Sequence, residues 1–142
     1  MWTKVSSEED SVTRAETLFA YFIAEHNIPF LVADHFSDLV KQMFPDSSIA
    51  KKFRSKRTKT AHIVNHALGP YFDRKVTDLC KNEKFSVMID ESNDKGDDKM
   101  LTVLVRVYDH TVQKISTRFL GIPTCNIGTG ENIFRCLNQV FL

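Results

Sequence analysis

The sequence predicts an α+β chain, an N-terminal helical region followed by a β-β-β-α unit whose three strands form an antiparallel sheet. Three observations carry this expectation. Apolar residues recur at helical spacing up to about residue 82 and at mostly strand-like spacing from about residue 84. Residues 100–109 (MLTVLVRVYD) alternate apolar and polar side chains. Residues 110–113, which separate that run from the next strand-like one, are few enough for an antiparallel hairpin. The expected division is a helical region over residues 1–82 and a sheet-bearing unit over residues 83–142.

Residues 11–26 read as a helix, because Ala15, Leu18, Phe19, Phe22 and Ile23 make one apolar stripe, and Asn27 and Pro29 end it. Residues 30–44 give a second helix with the stripe Val32, Phe36, Leu39, Val40 and Met43, stopped by Pro45. Asp46 or Ser47 then caps a short turn through Ile49 and Phe53. Residues 56–82 are helical again through Ile63, Val64, Ala67, Leu68, Tyr71, Phe72, Val76 and Leu79. Gly69 and Pro70 predict a kink or break there, since proline lacks a backbone donor and clashes with the preceding turn. Residues 85–90 (FSVMID) read as the first strand. In the second, Leu101, Val103, Val105 and Val107 share one face, opposite Thr102, Arg106 and Tyr108. Residues 114–122 form the third. A turn at Gly128, Thr129 and Gly130 leads into a helix over residues 131–142, with Ile133, Leu137, Val140 and Phe141 inward.

With 142 residues, 42% hydrophobic and 26% charged, the chain has the make-up of an ordinary globular protein, which excludes wholesale disorder and fibrous classes. Its length suits one domain or pieces of two small ones. No apolar run approaches the roughly 20 residues of a membrane span, so no membrane partner is expected. The N-terminal MWTKVSSEED lacks the apolar centre of a signal peptide, and the nucleus or cytoplasm is the expected location. A net charge of +1 means that any attraction to nucleic acid is local. Cys80, Cys125 and Cys136 are odd in number and include no Cys-x-x-Cys pair, which fits reduced thiols and gives neither a disulfide framework nor a zinc finger.

Two charged segments are candidates for chemistry. Asp90 follows an apolar strand directly, at the head of the acidic stretch Asp90, Glu91, Ser92, Asn93, Asp94, Lys95, Gly96, Asp97 and Asp98. A carboxylate where a buried strand emerges is how metal-dependent nucleases place a ligand, while a solvated hairpin loop is the plain alternative. The stretch is not an EF-hand loop, since Lys95 and Thr102 would occupy ligand positions. The second segment holds Lys51, Lys52, Arg54, Lys56, Arg57 and Lys59, a cluster suited to phosphates or to nuclear import, with a solvated linker as the alternative. His62 and His66 stand four apart on a helix, but the segment HIVNH lacks the zincin glutamate and no third ligand is apparent. No lysine and hydroxyl follow Gly130 as a phosphate-binding loop requires, and no nucleophile triad is visible.

The segments Ala15-Glu16-Thr17-Leu18-Phe19, Glu25-His26-Asn27-Ile28-Pro29-Phe30, Met43-Phe44-Pro45-Asp46-Ser47, Arg57-Thr58-Lys59 and Phe85-Ser86-Val87-Met88-Ile89-Asp90-Glu91-Ser92-Asn93-Asp94 occur in order over nearly the whole chain. Together they resemble the hAT transposase superfamily, chiefly its transposon-derived, often domesticated members. The resemblance implies a ribonuclease-H-like core opening β-β-β-α, with Asp90 at the end of the first strand as the first catalytic carboxylate and a ligand for Mg²⁺ or Mn²⁺. That chemistry uses two metal ions held by several oxygen ligands. The family's second aspartate and its glutamate come from later segments, and the chain as given stops before both. Neither the dimerisation segment nor the BED-type zinc finger of the family is found. Glu91 and Asp94 are loop neighbours of Asp90 and do not supply the opposed geometry.

The resulting expectation is an incomplete ribonuclease-H-like unit in a truncated transposase-like protein. It is expected to be catalytically inactive, not an enzyme, with no cofactor unless the core is completed. Weak nucleic-acid binding would run through Lys51, Lys52, Arg54, Lys56, Arg57 and Lys59. The resemblance further implies a missing fourth strand, which leaves residues 85–90 with an unpaired edge and makes the chain weakly stable or aggregation-prone unless a partner covers it. Two alternatives stand beside this one. The first is a protein-interaction module binding another chain, or a second copy of itself, through that edge. The second is part of an active DNA transposase, if the sequence is only a partial record.

Overall fold

The computed structural model describes residues 7–93, 96 and 98–141. It has the α+β order that the spacing predicts: helices, three antiparallel strands, then a helix. The chain forms two compact units, Met1–Tyr71 and Phe72–Leu142. Among the described residues no helix is long and apolar enough to cross a membrane.

In the first unit, α1 (Glu8–Glu25) begins three residues before the expected start. Ser7 closes a capping box, accepting from the Asp10 N–H while the Asp10 carboxylate accepts from the Ser7 N–H. Asn27 then takes a left-handed backbone (φ 51°) and turns the chain toward α2 (Val32–Met43). The short α3 (Ser48–Lys52) starts at Ser47, whose hydroxyl accepts the Ala50 N–H at 3.2 Å. The core joins Phe19 and Ile23 of α1, Ala33 of α2 and Phe53, which follows α3. Its centre is aromatic. The Phe19 ring stacks on Phe36 with centroids 4.3 Å apart, and Phe53 meets both edge-on.

Between α4 (Arg57–Ile63) and α5 (Gly69–Asn82) lies a π-helical turn, Val64–Leu68. The disturbance expected at Gly69 and Pro70 therefore takes the form of a wider turn in place of a break. Pro70 has no N–H to offer the His66 carbonyl, and its ring needs that carbonyl displaced. The Gly69 N–H donates five residues back, to the Val64 carbonyl. A Cβ at position 69 would sit 3.3 Å from that oxygen, so the smallest residue occupies the tight point.

In the second unit, β1 (Phe85–Asn93), β2 (Lys99–Asp109) and β3 (Lys114–Gly121) form one sheet in the order β1-β2-β3. The central strand keeps its predicted face, with Leu101, Val103, Val105 and Val107 all buried. Gln113 (φ 51°) closes the hairpin between β2 and β3, and the Asp109 carboxylate accepts the Thr111 N–H at 2.9 Å. The ladder between β2 and β3 shifts between Val103 and Leu104, so Phe119 pairs with Leu104 while Gly121 pairs with Val103. This bulge leaves Leu120 to pack against the buried cluster of Leu101, Val103, Cys125 and Cys136. Over the cluster lies α6 (Gly130–Phe141) with Ile133, Leu137 and Val140. A Cβ on Gly121 would meet the Val140 side chain at 2.7 Å, so glycine lets the helix approach the strand end.

Candidate functional site

Asp90 lies within β1 and pairs with Thr102 of β2. The first strand does not end there. Ser92 and Asn93 continue the ladder against Met100 and Lys99, so Asp90 stands three residues before the strand terminus. Polar, turn-prone residues hid this extension, because cross-strand pairing outweighed their weak preference for a loop. Of the acidic stretch, Asp94, Lys95 and Asp97 lie outside the described residues. Asp98 accepts a hydrogen bond from the Asn126 amide at 2.9 Å.

Strand alternation decides what surrounds Asp90. It shares a face with Met88 and Ser92, and with Thr102 across the ladder. Glu91 falls on the opposite face, with Ile89. Among the described residues, no three His, Cys, Asp or Glu side chains come together in a way that could hold a metal ion. Among the described residues, one carboxylate with hydroxyl neighbours does not fit the pair of Mg²⁺ or Mn²⁺ ions implied by the resemblance, since such hard cations need several oxygen ligands in fixed positions.

The basic segment divides into two sets. Lys52 pairs with Glu8, Arg57 Nε approaches Asp34 at 2.8 Å, and Lys59 Nζ lies 2.5 Å from Glu16. These pairs join residues far apart in the chain and tie the segment to α1 and α2. Lys51, Arg54 and Lys56 are exposed, and among the described residues they make no such pair. The two carboxylates also serve the backbone. Glu16 accepts the Arg54 N–H at 2.9 Å, and Asp34 accepts the Arg57 N–H at 2.9 Å, which caps α4 from a neighbouring helix. Ser55 and Thr60, both fully buried, hydrogen-bond to each other at 3.0 Å beneath the run.

Glu16 is the residue that the sequence reading passed over. Only 3% of it is exposed. The signal was its position, three residues before Phe19 and seven before Ile23, which places a carboxylate on the buried stripe of α1. A charge at such a place requires a partner. Lys59 and the Arg54 amide, roughly forty residues downstream, are those partners.

The remaining candidates are modest. His62 and His66 are exposed, with rings 4.3 Å apart and tilted by 45°. Cys125 and Cys136 are free and buried, and the Asn132 amide reaches both sulfurs while donating to the Ile127 carbonyl at 2.9 Å. Hydrogen bonding to Cys125, reinforced by burial, pushes the Cys136 thiol up, as burial does for Cys80. Cys125 and Cys136 pack in the buried cluster with Leu101 and Val103. The turn before α6 works as expected, since Thr129 accepts the Asn132 N–H at 3.4 Å and the Ile133 N–H on its carbonyl.

On the sheet, both outer strands expose apolar side chains, β1 along its whole length and β3 at Ile115 and Phe119. Phe85, Val87 and Ile89 are exposed although their cross-strand mates Val107, Val105 and Val103 are buried, and Met88 is exposed opposite the half-buried Leu104. On the Asp90 side, Met88, Leu104 and Phe119 form a row across the three strands, with Ile115 and Tyr108 nearby.

Comparison with known proteins gives one assignment. No curated protein and no solved structure matches the chain. Residues 32–142 match the family DUF4371, described as the ZMYM1/FAM200, RNase-like domain. The match takes in the helices from α2 onward and the whole sheet with Asp90. The chain therefore belongs to this family of transposase-derived, RNase-like domains.

Proposed function

We propose that the chain is a transposase-like domain of the hAT type that acts as a scaffold and does not catalyse strand transfer by itself. Asp90 is then the remnant of the first catalytic carboxylate. The observation that carries this reading is that, among the described residues, Asp90 stands on a face with Met88, Ser92 and Thr102 and apart from Glu91. Phosphodiester chemistry on two metal ions needs more carboxylates than that. The order of the resembling segments supports the hAT assignment within the RNase-like family.

The same reading gives the protein weak, sequence-independent DNA binding in the nucleus through Lys51, Arg54 and Lys56. Lys52, Arg57 and Lys59 are engaged in ion pairs and contribute less. The salt dependence separates the two sets. With three phosphates neutralised, the logarithm of affinity falls with that of salt at a slope of about −2.7, against about −5.4 for all six. Binding of duplex DNA measured from low to raised salt is expected to give the shallower slope. The Lys51→Glu/Arg54→Glu/Lys56→Glu variant is expected to lose binding while keeping its helical content. Unchanged binding by this variant would reject the assignment.

A second reading, favoured by the exposure of Phe85, Val87, Met88 and Ile89 on an edge strand, is a protein-interaction module that receives a strand along β1.

A further inference from the structure

Cys125 and Cys136 meet from two separate elements. Cys125 lies in the stretch after β3, where its N–H donates to the Lys99 carbonyl at 2.7 Å and the Leu101 N–H donates to the Pro123 carbonyl at 2.9 Å. These bonds, with the bridge between Thr124 and Met100, fix Cys125 alongside the start of β2. Cys136 comes from α6, one turn after Asn132 on the same helix face. The Asn132 amide nitrogen stands 3.4 Å from the Cys125 sulfur and 3.9 Å from the Cys136 sulfur. The Cys136 thiol donates to the carbonyl of Thr124, the residue before Cys125, at 3.6 Å. Both cysteines are free, and they are 1% and 5% exposed.

We propose that this pair is an oxidation site, at which hydrogen peroxide converts the two thiols into a Cys125–Cys136 disulfide that fastens α6 to the end of the sheet. The two thiols already hydrogen-bond to each other, so closing the bond asks for side-chain rotation and no refolding. In the first step one thiolate sulfur attacks the O–O bond of the peroxide. A sulfenic acid forms, and the hydroxide released takes up a proton to leave as water. The second sulfur then attacks the sulfenic sulfur. The S–O bond breaks, the S–S bond forms, and the hydroxyl group leaves as water with the second thiol's proton. Two thiols are thereby oxidised and one peroxide is reduced to two waters. Peroxide is little larger than water, which suits a closed site. Burial of both thiols makes the first attack slow, and a second thiol held beside the sulfenic acid captures it before further oxidation.

The test starts from the Cys80→Ser variant, which keeps only the pair. Held folded in hydrogen peroxide, then denatured and titrated, it should lose both thiols, become two hydrogens lighter, and recover both thiols with dithiothreitol. Trypsin cuts after Arg118 and Arg135, so the peptide of residues 119–135 should be joined to the one that begins at Cys136. The same linked peptide is sought in wild type, where no substitution bears on folding. The urea midpoint of the oxidised form should exceed that of the reduced form, because the closed loop restricts the unfolded chain. Cys136→Ser in the Cys80→Ser background removes the second sulfur, and dimedone should then label Cys125 as the trapped sulfenic acid. Two surviving thiols would overturn the proposal, as would sulfinic or sulfonic acids without the linked peptide, or disulfides between chains. Equal urea midpoints would overturn the fastening of α6.

Discussion

In the helical unit a carboxylate, Glu16, is 3% exposed, while in the sheet unit an aliphatic side chain, Val87, is 41% exposed beside a cross-strand mate, Val105, at 0%. Residue type alone would have ordered these the other way. Glu16 is buried because the chain brings Lys59 and the Arg54 amide to it. Val87 is open because it lies on the outer strand of the sheet. Burial in this protein thus follows the tertiary partners at hand. A run of charges can be internal framework and an apolar strand can be surface.

The largest effect should come from placing the same charge on both sides of one cross-strand pair. Val105→Asp puts an unpaired carboxylate at a fully buried position and should destabilise by about 4 kcal/mol or more, enough to unfold a marginal unit. Val87→Asp, directly opposite, should change stability by less than about 1 kcal/mol. Urea titrations followed by circular dichroism check both, and equal losses would erase the distinction between central and edge strand.

A smaller effect is expected in the helical unit. Glu16→Ala leaves the Arg54 N–H and the Lys59 ammonium without their acceptor and should destabilise by about 1–3 kcal/mol. Glu16→Gln keeps an acceptor and should be milder. If Lys59→Ala in the Glu16→Ala background adds as much as it does in wild type, the two residues are not coupled, and the ion pair is not part of the framework.

The smallest effect concerns pH. The Thr111 N–H, with help from Arg118, holds the Asp109 carboxyl below its usual range. A lowered folded-state pKa contributes stability that is complete above the unfolded value of about 3.9 and is lost as pH falls through the folded value. The urea midpoint should therefore fall on acidification from about pH 5 to pH 2, and Asp109→Asn should fall less steeply over the same interval.

Much of this architecture was legible from local spacing. The alternation of Leu101, Val103, Val105 and Val107 defined the buried face of β2, while of the stripes of α1 and α2 only Ala15, Phe19, Ile23, Phe36 and Val40 join the core and Leu18, Phe22, Val32, Leu39 and Met43 are exposed. What escaped the sequence was set by long-range pairing or by tight approach. Arg57 and Asp34 are partners that no local window joins, and half of the basic run is engaged for that reason. Ser92 and Asn93 carry turn chemistry yet lie in a strand, because Met100 and Lys99 pair with them. Pro70 announced a disturbance without saying that a π-helical turn would absorb it. At Asp90 the sequence indicated a carboxylate next to an apolar strand, but the separation of Glu91 from it became visible only with the register.

The claim that most of this rests on is chemical, and a strand-cleavage assay addresses it. Purified protein is incubated with duplex DNA and either Mg²⁺ or Mn²⁺, and nicked and joined products are resolved by electrophoresis. That no metal-holding cluster forms around Asp90 among the described residues predicts no product above the protein-free control. A metal-dependent product that disappears in Asp90→Asn would contradict the account.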